Sequence, residues 1–212
     1  MKQVFKSIGV VLSFLVFSVS ILSFSACSEA QYHSDSHGEE IDYTLWAKVL
    51  KKYVNEEGRV NYKALKADQG EFNAFIQQIE NMNVASLSAL EQKTFWINAY
   101  NAITLKVVVD KYPVKGIRTI NFGLVWEIAR RVAQTKKSLG DIEHKILRPL
   151  KDPRIHFAIN CASNGCPKLP NKPFLPTTLD QQLEAETKRF INDPQKVRLD
   201  RASTTLYYSA IF

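Results

Sequence analysis

The chain has 212 residues, 45% of them hydrophobic and 23% charged, with a formal net charge of +7. That balance excludes a disordered or fibrous chain and suits one globular domain with a proper core. No repeat of roughly 20 to 50 residues is visible, which excludes a solenoid.

At the N-terminus, Lys2 and Lys6 precede an uncharged run from Ile8 to Phe24, closed by the small residues Ser25 and Ala26 before Cys27. This is the layout of a secretory signal over residues 1–26. The run is also just long enough to cross a hydrocarbon core, so an uncleaved anchor is the alternative. The segment Phe24-Ser25-Ala26-Cys27 resembles a bacterial lipobox, with Phe24 where Leu is usual. The resemblance implies lipidation of Cys27 and a membrane-anchored, exported lipoprotein facing the periplasm. By resemblance to lipoprotein sorting, Ser28 rather than Asp beside the cysteine implies the outer membrane over the inner. Ordinary cleavage after Ala30 is the alternative, since Ser28 and Ala30 are small.

Residues 27–40 read as a polar tether, because Gln31–Glu40 (QYHSDSHGEE) carries no aliphatic side chain. His33 and His37, four apart near Asp35, could chelate a metal weakly, but a solvated tether is much the favoured reading. Between Lys111 and Arg154 stand eleven Lys or Arg against four acids. Such a field draws anionic lipid, glycan or phosphate and also keeps a surface soluble. An exported chain rarely meets nucleic acid, so the expected partners are the membrane, through Cys27, and an anionic envelope ligand.

In the single domain expected over 41–212, apolar residues at helical spacing predict a helix over Ile41–Tyr53, opened by Asp42, and a second over Tyr62–Glu80. Ser88 with Glu91 is a capping box for a long third helix to about Lys111, stopped by Pro113. Lys115–Lys137 reads as loop and short strands. Ser138 with Asp141 caps a short helix carrying Glu143 and His144 and ended by Pro149. Arg154–Cys161 (RIHFAINC) reads as a strand. Ala162–Pro176 is a proline-rich loop, a last helix runs from Thr178 to Ile191, and two short strands lie near Val197 and Leu206. The fold class is α+β, several helices packed on a small, mainly antiparallel sheet.

FWINAYNAITLKVVVDKYP, SLGDIEHKILRP and DPRIHFAINCASNGCPKLP (Phe95–Pro113, Ser138–Pro149 and Asp152–Pro170) resemble the three blocks of the domain-of-unknown-function 547 family. The resemblance spans roughly Ile41–Phe212 and implies no established activity. Gly165 departs from the Ser usual before Cys-Pro. Family members usually continue past Phe212, which implies a chain truncated there.

With Cys27 assigned to lipid, Cys161 and Cys166 remain. Three readings stay open. They form a small disulfide loop, as an oxidising compartment favours; Cys161 is a catalytic thiol; or they bind zinc with His144 and His156, the least favoured. No cofactor is called for, since the short phosphate-loop and two-histidine zinc-helix patterns are absent from the sequence. The catalytic reading is a hydrolase or acyl transferase with Cys161 as nucleophile and His144 as base. Glu143 would act as an acid or base, and Asn98 or Asn160 would orient the histidine. Regular strand alternation would separate His156 from Cys161. Asn98 and Asn101 share one face of a helix that is apolar nearly all round, so each needs a hydrogen-bond partner. That partner is either the backbone of the 160–170 loop or a ligand. The favoured function is a lipid-anchored envelope module with a binding loop at Cys161–Cys166, supported by Asn98, Asn101 and His156.

Overall fold

The computed structural model of the chain describes residues 41–209 and 211. The leader, Cys27 and the tether histidines lie outside the described residues.

Ser88 and Glu91 close both halves of the expected capping box, and from it a long helix, α4 (Ala89–Lys111), runs through the domain. From Thr94 to Leu105 every residue is buried. A helix buried on all sides is one that other elements surround. Asp42 accepts the Thr44 amide at 2.8 Å and opens α1 (Thr44–Tyr53), whose Trp46, Val49, Leu50 and Tyr53 face inward. Trp46 stacks on Phe75 and Phe72 of α3 (Gly70–Asn81), with ring centroids 5.3 and 6.0 Å apart.

The single helix expected over Tyr62–Glu80 is two helices, α2 (Tyr62–Ala67) and α3. The break is made by Asp68, which adopts extended backbone. Its carboxylate accepts from Tyr53 Oη at 3.0 Å and Lys52 Nζ at 2.9 Å, so the side chain ties the junction to α1. Apolar periodicity alone passes through such a junction unchanged.

The β structure consists of two antiparallel ribbons. Strands β1 (Arg130–Val132) and β2 (Thr135–Lys137) join through Ala133 and Gln134, both at positive φ, as a two-residue hairpin turn requires. The two turn amides donate to Ile79 and Glu80 carbonyls, satisfying the C-terminus of α3. The second ribbon, β3 (Val197–Asp200) and β4 (Thr205–Tyr208), follows α6 (Leu179–Ile191). The class is α+β as expected, with two separate ribbons in place of one sheet.

The largest correction concerns Arg154–Cys161, which is not a strand. Asp152 accepts the Arg154 amide, Pro153 follows it, and Pro153–Phe157 is a 3-10 turn. Ile155, Ala158 and Ile159 are the buried residues, a helical spacing that the same sequence also satisfies. Alternation therefore does not separate His156 from Cys161. Ser138 and Asp141 open α5 (Leu139–Asp141) with a full capping box, and the chain continues as a π-helical turn over Ile142–Leu147 that carries Glu143 and His144. Lys145 and the Ser138 backbone and hydroxyl hold the Asp141 carboxyl at about 2. Among the described residues no helix is long and apolar enough to cross a membrane.

Candidate functional site

The site is organised from α4 by two asparagines. Asn101 donates to the Ala158 carbonyl at 2.9 Å and accepts the Asn160 amide at 2.7 Å. Asn98, one turn earlier, donates to the Phe174 carbonyl at 2.8 Å and accepts the Phe174 amide at 3.1 Å. Both are buried, so the backbone entering and leaving the 160–170 loop is pinned to the central helix by side chains that mimic a neighbouring strand. Asn160 extends the clamp into the loop, donating to Pro167 O at 2.6 Å and accepting the Ala162 amide at 2.8 Å.

Within the loop Cys161 and Cys166 form a disulfide, with Cα atoms 6.0 Å apart. Ser163 Oγ lies 3.2 Å from Cys161 Sγ and 3.4 Å from Cys166 Sγ. The loop tip meets the terminal ribbon. Ser209 Oγ donates to Gly165 O at 2.8 Å, and Lys196 Nζ donates to Asn164 O. The loop's other flank sits on Gly58 (φ +73), where an added Cβ would stand 2.7 Å from Lys168 Cβ. Only glycine allows that approach.

Between Gly165 and the ribbon opens a cleft of about 290 Å³, lined in part by Lys196, Arg198, Tyr207, Tyr208 and Ser209. Arg198 and Tyr207 are cross-strand partners, with the guanidinium 4.3 Å above the ring. Burial pushes Lys196 below its ordinary value, opposed by Asp193. The cleft thus presents cations on an aromatic wall. A second, more apolar groove of about 570 Å³ lies between Ile41, Tyr43, Leu87 and Leu175. Its Glu91 carboxylate is engaged by the Ser88 amide in the helix cap.

The remaining candidates gather elsewhere. Glu143 accepts from Tyr100 Oη at 3.3 Å and from Arg148 at 3.2 Å. Burial, then the Glu143 charge, raises the Tyr100 hydroxyl far above its usual range. Burial, aided by Arg148 and His144, pushes His156 below its ordinary value, against the pull of Glu143. Glu143, His144, Arg148 and His156 therefore form one electrostatic cluster. Among the described residues no histidine hydrogen-bonds either sulfur, and no group of three or more His, Cys, Asp or Glu is arranged to hold a metal. With Cys161 and Cys166 bonded to each other, neither presents the thiolate that zinc or a nucleophile requires.

A charged network that sequence reading missed holds the turn preceding the loop. Asp152 bridges Lys93 of α4 and Arg154, and Arg154 reaches Asp180 of α6 at 2.8 Å. Arg154 and Lys93 hold the Asp152 carboxyl well below the usual carboxylate range. An unfolded Asp titrates near ~3.9. The network's contribution is therefore complete above about pH 4 and is lost as pH falls further. Asp152→Asn should flatten the acid side of the urea midpoint plotted against pH and leave its neutral-to-alkaline shape unaltered.

Residues 84–191 match the family described as protein of unknown function, DUF547. No curated protein and no solved structure matches the chain. The match contains both asparagine clamps, the disulfide loop and the Glu143 cluster, whereas the ribbon that completes the cleft lies beyond it.

Proposed function

We propose, for a chain that belongs to the DUF547 family, a role as a lipid-anchored module of the bacterial cell envelope. In this reading it binds an anionic ligand between the stapled 161–166 loop and the terminal ribbon. The observation that carries the reading is the cleft itself: Lys196 and Arg198 against Tyr207 and Tyr208, closed by a loop whose conformation is fixed by a disulfide and three asparagines. Rigid polar walls beside aromatic faces suit an acidic glycan, whose rings stack while its carboxylates meet the cations. Glu143, His144 and His156 then support the fold next to the loop, and Asn98 and Asn101 position its backbone.

The alternative, a thiol-dependent hydrolase or acyl transferase, needs Cys161 free and a base beside it. The disulfide and the absence of a described histidine–sulfur hydrogen bond favour binding over that chemistry.

Calorimetric titration of the detergent-solubilised chain with a galacturonate oligosaccharide, and with its neutral counterpart, tests the cleft. The acidic oligosaccharide should bind and weaken with salt, while the neutral one should not bind. Arg198→Ala should weaken binding by roughly two- to fivefold, as loss of one exposed ionic contact implies. Equal affinity for both oligosaccharides, or indifference to Arg198→Ala, contradicts the reading. The anchor is tested by mass: Cys27→Ala should abolish the lipid adduct.

A further inference from the structure

We infer that the loop centred on Phe122 is a second membrane contact, inserting one aromatic side chain into a bilayer that carries anionic headgroups. The inference rests on the membrane-anchored reading above.

Phe122 is 102% exposed and Leu124 60% exposed, the most exposed large apolar side chains of this segment. Their exposure does not come from a loose loop, because Ile117, Ile120 and Val125 on either side are buried. The backbone at the apex is unusual. Asn121, Phe122 and Gly123 have φ of 50°, 56° and 85°, three successive residues in the left-handed region. A bulky residue enters that region only where the surroundings impose it, and such outliers gather at functional segments. Here the outcome is a phenyl ring held clear of the domain.

The charge of the flanking sequence points to the partner. Lys111, Lys115 and Arg118 are exposed within the eleven residues preceding Phe122. Among the acids nearby, Asp110 is paired with Lys106, leaving the exposed Glu127. A protein partner normally covers a contiguous apolar patch, which two side chains do not supply. A bilayer needs less. One apolar side chain enters the headgroup boundary while neighbouring cations meet anionic lipid.

The test uses the full chain with its own leader, reconstituted into vesicles whose acyl chains are brominated, with or without phosphatidylglycerol. The probe is tryptophan fluorescence. The Phe122→Trp chain should gain emission that brominated chains quench, more strongly in anionic vesicles. Arg118→Gln in that background should reduce the quenching severalfold. Tyr208→Trp, a control on the terminal ribbon, should gain emission that is not quenched. If chains that float with the vesicles show no quenching from Phe122→Trp, or equal quenching from Tyr208→Trp, the inference is overturned and the anchor is not. A chain that floats with neither vesicle overturns the anchor, and with it the inference that needs the membrane at hand.

Discussion

Asn101→Leu should cost about 2–4 kcal/mol in urea unfolding, and Asn98→Leu a similar amount. Each substitution keeps the apolar volume of the central helix and removes one donor and one acceptor. For Asn101 the groups left behind are the Ala158 carbonyl and the Asn160 amide. For Asn98 they are the two backbone groups of Phe174. An orphaned buried polar group costs roughly 1–3 kcal/mol, and each mutant creates two. Asn101→Asp should be no better, because it keeps the acceptor, loses the donor and buries a charge. The clamps grip different segments, so the double mutant should lose nearly the sum unless the released backbone relaxes jointly. A loss below about 1 kcal/mol at either site would mean that water reaches the freed groups.

Cys161→Ser and Cys166→Ser should each lower stability by about 2 kcal/mol, the chain-entropy figure for so short a loop. The pair Cys161→Ser/Cys166→Ser should be no worse than either single change, because the first removes the whole cross-link. The galacturonate affinity should fall together with the staple, since Gly165 and Asn164 reach the terminal ribbon only while the loop holds its shape. A nucleophilic Cys161 would give a different pattern, with one substitution silent in stability and the other not.

What could be read from the sequence was what is decided locally. Both capping boxes, at Ser88 and Ser138, follow from three-residue spacings and form as expected. The need of Asn98 and Asn101 for partners followed from placing amides in an apolar helix. The identity of those partners did not, because Phe174 lies 76 residues from Asn98 in sequence. RIHFAINC satisfied both a strand alternation and a helical spacing. The choice was made by Asp152 and Pro153, which start a turn, and by Asn101, which takes the backbone groups a neighbouring strand would have used. The cleft was not legible either. Strands near Val197 and Leu206 were expected, but Arg198 meets Tyr207 only once the ribbon's register is set. Gly165 and Lys196 come together only when the loop is folded.

The Cys161–Cys166 disulfide and the Asn160 hydrogen bonds hold the loop in one shape. Glu143 is engaged by Tyr100 and Arg148, and Ser163 stands at hydrogen-bond distance from both sulfurs. The Glu143 carboxylate and the Ser163 hydroxyl thus both have partners within the protein. The measurement that tests the disulfide most directly is intact mass after thiol alkylation, with and without prior reduction. Neither Cys161 nor Cys166 should be alkylated until reductant is added, and both should be alkylated afterwards. Rapid labelling of one of them without reductant would contradict it and identify a free, reactive thiol.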